Sequence, residues 1–419
     1  MGNHSSRRRK AAPRFFLFLL IVLAAIGTAV FFLVCGGAAP SQAQPTPILT
    51  PTMQPTESPS VVSTPTPPPN VAQSITISAV GDLMCHDRQL RSAYNQKSKT
   101  YSFDENFTVI KPYLDRADFT FGNLETVLEA SSHYTGYPGF NSPKSFAQAL
   151  KDGGIDFVTT ANNHTLDQGW NGVQTTIDSL QEIGLPFTGI GKTKEEAQQI
   201  AYVDVKGVKV AILAYAEASN RKVDTDKQFC MNRLQEDRVV KDIQRARSDG
   251  AEIVILSLHW GGEYHRSPNS KNRAQAETFF KAGADVIVGH HPHVLQPITV
   301  KEVTRDDGTT AKCVVAYSLG NFIHNQVDPY TDAGAILTVS FTRDDNGKMG
   351  VADVTYLPTW RQRRDLDGDG LMEYRVLPVG PMINNPDQYV SSSEVRKLKT
   401  VWEETTEWVG TEDAAAVDQ

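Results

Sequence analysis

The sequence predicts an α/β fold with mixed sheets, attached to a membrane by one helix near the N-terminus. From Ser74 onward, short apolar runs alternate with segments of helical length, which favours a largely parallel sheet with helices on both faces. Residues 203–214 depart from this pattern, because Val205-Lys206-Gly207-Val208 is typical of a hairpin turn and makes this part antiparallel. Before the folded part, the uncharged run 15–34 is long enough to cross a bilayer as a helix.

A basic segment precedes the apolar run and sets its expected orientation. Its positive side chains are Arg7, Arg8, Arg9, Lys10 and Arg14. Residues 1–14 are therefore expected to form a cytoplasmic tail and residues 15–37 a transmembrane signal anchor. The cell membrane would then hold a single-pass protein whose C-terminal domain is extracellular. The alternative is a cleaved signal peptide, because the small residues around Ala43 permit cleavage.

Residues 38–73 are expected to form a linker between the anchor and the folded part. They are rich in Pro, Thr and Ser, and repeats such as Thr64-Pro65-Thr66-Pro67 favour extended polyproline geometry. About thirty such residues could reach roughly 90 Å, so this segment could act as a stalk. The folded domain is expected over residues 74–360, followed by a C-terminal extension over residues 361–419.

Composition limits the classes of function. With 419 residues, 40% of them hydrophobic, the chain can form one large core or two smaller ones. The net charge of -7 argues against a nucleic-acid partner, since such proteins usually carry a basic domain or stripe. Besides Cys35 in the apolar segment, Cys85, Cys230 and Cys313 allow either one disulfide or three idle thiols, and no C-x-x-C pair is present.

The predicted strands and helices alternate along most of the folded part. Strands are predicted at residues 75–80, 118–125, 156–161, 252–258 and 285–288. Helices are predicted at residues 142–152, 170–183, 236–248 and 271–282. Three later strands, at residues 314–317, 335–341 and 351–357, are expected to form a second sheet.

Polar side chains of one kind recur where the predicted strands end. These ends are Gly81-Asp82, Asn123-Leu124-Glu125, Asn162-Asn163-His164, His259-Trp260-Gly261-Gly262-Glu263 and His290-His291-Pro292-His293. Seven of the ten histidines lie in or near these segments: His86, His164, His259, His265, His290, His291 and His293. Ligands of open α/β folds bind beyond the carboxyl ends of the strands, so these side chains are expected to converge on one site.

The residue types limit the metal that such a site would hold. Imidazole, carboxylate and carboxamide ligands without cysteine suit manganese, iron, zinc or nickel. His291 and His293 are two residues apart and could reach one ion or a pair of ions. A metal pair can clamp a phosphoryl or carbonyl oxygen and supply hydroxide at neutral pH.

Six ordered blocks resemble the capsule-synthesis CapA family, whose domain acts in poly-γ-glutamate capsule biosynthesis. The blocks are Ala79-Val80-Gly81-Asp82, Gly122-Asn123-Leu124-Glu125-Thr126, Ala161-Asn162-Asn163-His164-Thr165-Leu166-Asp167, His259-Trp260-Gly261-Gly262-Glu263-Tyr264, Gly289-His290-His291-Pro292-His293-Val294 and Tyr317-Ser318-Leu319-Gly320-Asn321-Phe322. The resemblance covers residues 74–338. That family in turn resembles the calcineurin-like metallophosphatases, which implies a four-layer α/β-β/α sandwich with mixed sheets and a dinuclear metal site.

The resemblance also implies a role for individual residues. The implied metal ligands are Asp82, Glu125, Asn163, His259, His291 and His293, with Glu125 as the bridging carboxylate. His164 matches the histidine that assists the leaving group. The sequence departs from the pattern at Met84, where metallophosphatases carry the histidine of an Asp-x-His motif. One imidazole is therefore missing unless His86 or another group replaces it.

Other residues of the blocks have expected supporting roles. His290 is expected to be structural or to lie behind the ligands. Asp167 is expected to cap the following helix, with orientation of His164 as the alternative. Asn321 could either touch a ligand or form a turn. The expected lining of a substrate cleft is Trp260, Glu263 and Tyr264.

The extension contains a segment that resembles the start of an EF-hand calcium loop. Its candidate ligands are Asp365, Asp367, Asp369 and Glu373. The twelfth position is Val376 instead of the usual bidentate Glu, so an Asp-Gly turn is the favoured interpretation and calcium the alternative.

Two functions remain open at the level of the sequence. The first is a metal-dependent hydrolase or transferase acting on a phosphoryl or amide bond of an anionic polymer or another cell-envelope substrate. The second is a non-catalytic polymer-binding or export subunit with a degenerate metal site. Membrane-bound capsule-synthesis subunits are expected partners in either case.

Overall fold

The computed structural model of the protein describes residues 74–365, 368–386, 389–410 and 413–418. Within these ranges no helix combines the length and the apolar composition needed to span a membrane. The predicted cytoplasmic tail, signal anchor and linker all fall in residues 1–73, outside the described residues. Cys35, in the same range, and Asp367 also lie outside the described residues.

The strands of the described part range in length from 2 residues to 16 residues. In chain order they are β1 (Ser74–Leu83), β2 (Tyr94–Asn95), β3 (Thr100–Tyr101), β4 (Phe119–Leu124), β5 (Phe157–Thr159), β6 (Phe187–Thr188), β7 (Ala201–Val205), β8 (Val208–Ala216), β9 (Ile253–His259), β10 (Val286–His290), β11 (Ile298–Thr304), β12 (Thr310–Ala316), β13 (Asn321–Ile323), β14 (Ala333–Arg343), β15 (Met349–Arg364), β16 (Glu373–Pro378) and β17 (Ala415–Ala416).

Helices follow most of the parallel strands. In chain order they are α1 (Asp87–Ala93), α2 (Lys111–Leu114), α3 (Lys144–Asp152), α4 (Gly169–Ile183), α5 (Lys194–Ala197), α6 (Glu236–Ser248), α7 (Ser270–Ala282), α8 (Val379–Asn384) and α9 (Ser392–Val409). Short 3₁₀ turns occur at Asp104–Asn106 and Thr225–Cys230. The five strands and four helices predicted for the first part of the domain are all confirmed, with ends that differ by a few residues.

The first sheet joins the beginning and the end of the described chain. Its order is β16-β15-β14-β1-β4-β5-β6, with β13 also paired to β1 and β17 to β15. The strands β1, β4, β5 and β6 are parallel, whereas β14 to β16 are antiparallel to their neighbours. The central position of β1 therefore brings Asp82 near the middle of this sheet.

The second sheet is built from the middle of the chain in the order β11-β12-β10-β9-β8-β7. Its inner strands β8, β9, β10 and β12 are parallel, and β7 and β11 close the two edges as antiparallel hairpins. The predicted hairpin between β7 and β8 is confirmed. Lys206 and Gly207 both have positive φ angles, of 52° and 84°, as a tight two-residue turn requires.

The expected grouping of the later strands is wrong. Strand β12 joins the second sheet, but β14 pairs with β1 in the first sheet and β15 pairs with β14. Apolar periodicity identifies a strand without naming its partner, because pairing depends on the path of the chain rather than on the strand itself.

The two sheets pack face to face around a shared apolar core. Ile77 and Phe121 of the first sheet belong to the same buried cluster as Ile255 and Val288 of the second. Helices α3 and α4 cover the outer face of the first sheet, and α6 and α7 cover that of the second. The described domain is thus a mixed α/β sandwich. The predicted coverage of both faces of one sheet by helices is wrong, because the inner faces of the two sheets cover each other.

The cysteines and the chain beyond residue 360 complete the fold. Cys85, Cys230 and Cys313 are free and buried, which confirms the idle-thiol alternative for these three. Strand β15 runs without interruption across the boundary expected at residue 360, and α9 contributes Leu398 and Val401 to the core between the sheets.

Candidate metal centre

The candidate site lies where the carboxyl ends of strands from both sheets meet. Asp82 is near the end of β1, and Glu125 directly follows β4. His259 and His290 end β9 and β10 and are paired in register across that sheet. The predicted convergence of these strand ends is thus what the structure contains.

Asn123 links the two sheets at the centre of the site. Its Nδ2 donates to Oδ1 of Asp82 at 2.8 Å and to Oε2 of Glu125 at 3.1 Å, and it lies 3.4 Å from Nδ1 of His259. Its Oδ1 accepts from Asn162 at 3.1 Å. Neither Asn123 nor Asn162 was predicted as a site residue, although both stand in the strand-end blocks. The available signal was their position in the chain, since Asn123 stands two residues before Glu125 and Asn162 directly precedes Asn163.

Two groups of side chains that could hold a metal ion share one carboxylate. We call them the Asp82 group (Asp82, Glu125, His293) and the His259 group (Glu125, His259, His291). In each group, one ligand atom per residue lies within 4.8 Å of the others. Oδ1 of Asn163 is 3.0 Å from Nε2 of His259, which brings the predicted carboxamide to the His259 group.

A third group overlaps both of them at the surface. It consists of Glu263, His291 and His293, again with ligand atoms within 4.8 Å of one another. Glu263 is exposed, whereas Asp82, Glu125, His259 and His293 are almost completely buried. The predicted ligands are therefore all brought together, and Glu263 joins them from the solvent side.

Burial makes the two carboxylates of the Asp82 group unequal. Burial alone would raise the pKa of Asp82, but the adjacent imidazoles of His290 and His293 hold that pKa well below its usual value. Burial and the neighbouring Asp82 instead raise the pKa of Glu125 well above its usual value. Placing the two acids side by side thus favours a proton on Glu125 unless a positive charge sits between them.

The histidines of the His259 group are held in the neutral form. Burial and the facing His291 ring lower the pKa of His259 well below its usual value. Burial and His293 lower the pKa of His291. Neutral imidazole is the form that binds a metal, so these side chains are ready for an ion without having to lose a proton first.

Several buried polar atoms of the site have no hydrogen-bond partner among the described residues. They include Oε1 of Glu125, Nδ1 of His291 and both ring nitrogens of His290. Buried polar atoms without a partner are rare, and each of them calls for an explanation. The atoms of Glu125 and His291 belong to the ligand groups, so the donor set fits a divalent cation better than it fits a purely structural network.

Neither of two nearby histidines takes the place of the motif imidazole in a ligand group. Met84 is buried at the motif position. Nδ1 of His86 accepts from the backbone N–H of Asn325 at 3.2 Å, so His86 ties two segments together. Nδ1 of His290 is 3.2 Å from Oδ1 of Asp82 but lacks hydrogen-bond alignment. His290 thus lies beside Asp82 but belongs to none of the three ligand groups among the described residues.

His164 and Asp167 form a buried pair beside the ligand groups. Nδ1 of His164 is 2.7 Å from Oδ2 of Asp167, which also accepts from the backbone N–H of Phe140 at 2.9 Å. Helix α4 begins at Gly169 after an N-cap at Gln168 whose side chain makes no capping bond. The expected capping role of Asp167 is therefore wrong, because its carboxylate is occupied by His164 and by the loop.

Loop residues that the sequence did not single out enclose His164. The Phe140 ring lies edge-on to the imidazole at 4.7 Å between centroids, and the Tyr137 ring lies at 6.3 Å. Nδ2 of Asn220 is 3.4 Å from Nε2 of His164. These contacts come from loops 129–141 and 217–224, where no periodic pattern or motif points to a site.

Asn321 supports His293 from behind. Its Oδ1 is 3.1 Å from Nδ1 of His293, and its Nδ2 donates to the carbonyl of His293 at 3.2 Å and to Gln326 at 2.8 Å. His293 itself has a positive φ of 58°, which is uncommon for a residue with a side chain. Asn321 therefore helps to hold a backbone conformation that the residue would not adopt freely.

The mouth of the site carries exposed aromatic rings. Tyr137 is 67% exposed and faces His164, and Tyr264 is 42% exposed with its ring 6.3 Å from that of His293. Trp260, which was expected in the cleft, is buried and donates from Nε1 to the carbonyl of Tyr317 at 3.1 Å. That part of the expected lining is wrong, because the indole points into the core behind β9.

The candidate calcium residues form a turn in the described part. Asp365 accepts from the backbone N–H groups of Gly368 and Gly370 at 2.7 and 3.1 Å, and Asp369 accepts from that of Leu371 at 2.7 Å. Glu373 is in register with Arg364 across the β15–β16 pair. Carboxylates bonded to their own backbone are what an Asp-Gly turn predicts.

Comparison with known proteins places the chain in a family. The family model described as "Bacterial capsule synthesis protein PGA_cap" matches residues 76–326. The chain belongs to this family. The resemblance to CapA proteins is therefore confirmed, and every residue of the three ligand groups lies within the matched range.

Two relatives of the PGA_cap family are similar over most of the described domain. The "Capsule biosynthesis protein CapA" of Bacillus anthracis is 31% identical over 294 residues, which are 68% of this chain and 67% of that protein. The "PGA biosynthesis protein CapA" of Bacillus subtilis (strain 168) is 29% identical over 284 residues, 67% of this chain and 71% of that protein. Among solved structures, the Haemophilus influenzae NAD nucleotidase matches with a TM-score of 0.43 and 13% identity, over 83% of this chain and 57% of that one.

Proposed function

We propose that this PGA_cap family protein is a metal-dependent hydrolase or transferase of capsule or poly-γ-glutamate biosynthesis, acting on a phosphoryl or amide bond. The observation that carries the proposal is the pair of buried ligand groups that share Glu125. We further infer that the sandwich is of the metallophosphatase-like type, whose sites are built from the same residue types.

The residues that would hold the ions are those of the two groups. Asp82, Glu125 and His293 would hold one ion, and Glu125, His259, His291 and Asn163 the other. Nitrogen and oxygen donors of this kind suit manganese, iron or zinc. When bound, such ions polarise a substrate oxygen and make a coordinated water acidic enough to ionise near neutral pH.

His164 is the candidate proton donor to the leaving group. Asp167 accepts at Nδ1 of His164, which leaves Nε2 to face the open side of the site near Asn220. A buried carboxylate that fixes one ring nitrogen sets the tautomer and stabilises the protonated ring. The pair would therefore deliver a proton from Nε2 as the bond to the leaving group breaks.

The substrate is proposed to be an anionic polymer or another cell-envelope chain, in line with the capsule and PGA biosynthesis named for the two relatives. Tyr137 and Tyr264 offer exposed ring faces at the mouth of the site. The chain as a whole carries a charge of -7, so attraction of an anionic substrate must come from local groups.

Location and partners follow as proposals from the N-terminal sequence. The apolar run 15–34 would anchor the protein in the cell membrane with the folded part outside, where membrane-bound capsule-synthesis subunits could be neighbours. Protease treatment of intact cells tests this. Degradation of the folded part without cell lysis supports the proposal, and full protection contradicts it.

The central experiment measures metal and turnover on the purified full-length chain. We expect about two equivalents of manganese, iron or zinc by elemental analysis, and metal-dependent hydrolysis of p-nitrophenyl phosphate or its diester. His291→Ala should lose both metal and turnover. His164→Ala should keep the metal and lose turnover, and a wild-type protein that binds no metal would refute the proposal.

A non-catalytic polymer-binding or export role is the second candidate. Met84 favours it, because the missing motif imidazole weakens the Asp82 group. Polymer production in cells separates the two candidates. Full production by a His164→Ala strain would support the non-catalytic role, whereas its loss with normal protein levels supports catalysis.

A further inference from the structure

Glu263 is an exposed carboxylate with unusual neighbours. It forms no hydrogen bond or ion pair with any of the residues that the structure describes, yet its oxygen belongs to a ligand group with His291 and His293. A free surface carboxylate normally points into water, where it is well solvated. This one instead sits over two buried or half-buried imidazoles of the candidate metal centre.

We propose that Glu263 is an additional metal ligand and that it replaces the donor lost at Met84. The proposal rests on the metal centre of the proposed function and deepens it. Within the centre, Glu263 would close the side that faces solvent, where the Asp82 and His259 groups leave no other carboxylate.

The number of donors on each side explains why a replacement is needed. The His259 group has four donors once Asn163 is included, whereas the Asp82 group has three. The thioether of Met84 is a soft ligand and does not suit the ions that carboxylates and imidazoles prefer. Glu263 shares His293 with the Asp82 group and His291 with the His259 group, and its charge helps to raise the pKa of Glu125. A carboxylate in this position could therefore give a further donor to the ion that His293 would hold.

The backbone holds Glu263 against the histidines. The N–H of Tyr264 donates to the carbonyl of Pro292 at 2.8 Å, and the N–H of Gly261 donates to Oε2 of Glu217 at 2.9 Å. These two bonds fix the turn on either side of Glu263 to the His291-Pro292-His293 segment and to the loop after β8. The carboxylate therefore cannot drift away from the imidazoles as a loose surface loop would allow.

Positive φ angles in the same turns also indicate that the backbone holds Glu263 in place. Tyr264 has φ of 63°, His291 of 94° and His293 of 58°, although none of them is glycine. Such conformations persist where the surrounding structure imposes them, and they concentrate at functional sites. Here they occur in both segments that bring Glu263 and the two imidazoles together.

A competing role for Glu263 is to bind a positively charged amine of the substrate. Asp328 provides the matched control, since it is also exposed and its charge helps to raise the pKa of Tyr264 at the same mouth. Asp328 belongs to none of the ligand groups. Removing either acid changes the charge of the mouth by one, but only Glu263 should change the metal.

Cobalt and manganese titrations of the purified full-length chain test the proposal. Loss of a residue that only supports a ligand already weakens metal binding by about 10- to 100-fold. Glu263→Gln removes a proposed ligand, so it should weaken binding of the ion in the Asp82 group by at least about 100-fold. The visible spectrum of bound cobalt should change as well, since it reports the ligands directly. Asp328→Asn should leave affinity, stoichiometry and spectrum as in the wild type.

A rescue experiment uses the position that the motif lost. Met84→His in the Glu263→Gln background should restore the weak site, and Glu263→His should retain it without any change at Met84. Thermal unfolding of each variant checks that the buried substitution at Met84 still folds. If it does not fold, the Glu263→His result decides, because that side chain is exposed.

The outcomes separate this inference from the proposed function. A wild type that binds two ions, with Glu263→Gln binding them equally well and with the same cobalt spectrum, overturns the role of Glu263 and leaves the metal centre intact. Unchanged metal binding combined with weaker substrate binding would assign Glu263 to the substrate instead. A wild type that binds no metal overturns the proposed function itself.

Discussion

The Asp82 group and the His259 group share Glu125 but differ in the chemistry of their other donors. The Asp82 group has two carboxylates and one imidazole, whereas the His259 group has one carboxylate, two imidazoles and the carboxamide of Asn163. Oxygen-rich sites favour manganese and similar hard ions, and imidazole-rich sites favour zinc and iron. Two groups that share the carboxylate of Glu125 thus offer donor sets suited to different metals.

Their positions in the fold differ as well. Asp82 comes from the central strand of the first sheet, and His259 from an inner strand of the second. Asn123 and Glu125 belong to the first sheet but contact His259 across the junction. The centre thus requires both sheets to be in place, and neither half of the sandwich holds a complete set of donors.

The largest effect should come from the shared residue. Glu125→Gln should weaken the binding of both ions by more than about 100-fold. Loss of a residue that only supports a ligand already weakens metal binding by about 10- to 100-fold, and loss of a ligand should cost more. The raised pKa of Glu125 means that its neutral form is favoured without metal, and Gln resembles that form. The unfolding temperature of the metal-free protein should therefore stay near that of the wild type. Two tightly bound ions in this variant would show that the groups are not joined by Glu125.

Separate removal of one histidine from each group should leave one ion instead of two. His259→Ala keeps the oxygen-rich Asp82 group, so the one ion that this variant still binds should more often be manganese. His293→Ala keeps the imidazole-rich His259 group, so the one ion that this variant still binds should more often be zinc. Elemental analysis after incubation with equal amounts of both metals measures this. Identical metal contents of the two variants would contradict the difference between the groups.

The sequence predicted the donors of both groups better than it predicted their surroundings. Asp82, Glu125, His259 and His291 follow apolar runs, and the carboxyl ends of parallel strands must meet at one edge of a sheet. The exchange of β14 and β15 into the first sheet was not predictable, because apolar periodicity does not encode which strands pair.

The loop contacts around His164 were missed for a different reason. Tyr137 and Phe140 reach the imidazole from a loop whose path depends on tertiary contacts, such as the bond between the N–H of Phe140 and Asp167. The role of Asp167 was misjudged for the same reason, since an Asp before a helix usually caps it and only the folded loop shows the competing partner. Residues at strand ends could thus be predicted, and residues delivered by loops could not.

A residue outside both groups should affect turnover without affecting metal. Asp167→Asn should lower turnover by about 100-fold, because the imidazole loses the carboxylate that orients it and stabilises its charge. Metal content should remain that of the wild type. Asp178 is an exposed acid on α4, the helix that follows Asp167. Asp178→Asn is therefore the control and should leave turnover unchanged. A loss of metal in the Asp167 variant would instead make it part of the binding site.

The smallest effect concerns acid stability on the side of the Asp82 group, where His86 is half-buried. Burial lowers the pKa of His86 to about 4, so the folded protein keeps the ring neutral while the unfolded chain takes up a proton below pH 6.5. Stability is therefore complete above pH 6.5 and is lost as the pH falls toward 4.

For a single group with this shift, lowering the pH from 7 to 5 should cost about 1–2 kcal/mol of unfolding free energy. His86→Asn keeps an acceptor for the N–H of Asn325 but removes the titration, so urea unfolding of the metal-free protein should show that much less loss. Since His324 is also buried and present in both proteins, the difference between them isolates His86. If both proteins lose the same unfolding free energy between pH 7 and pH 5, residues other than His86 take up the protons that destabilise the fold.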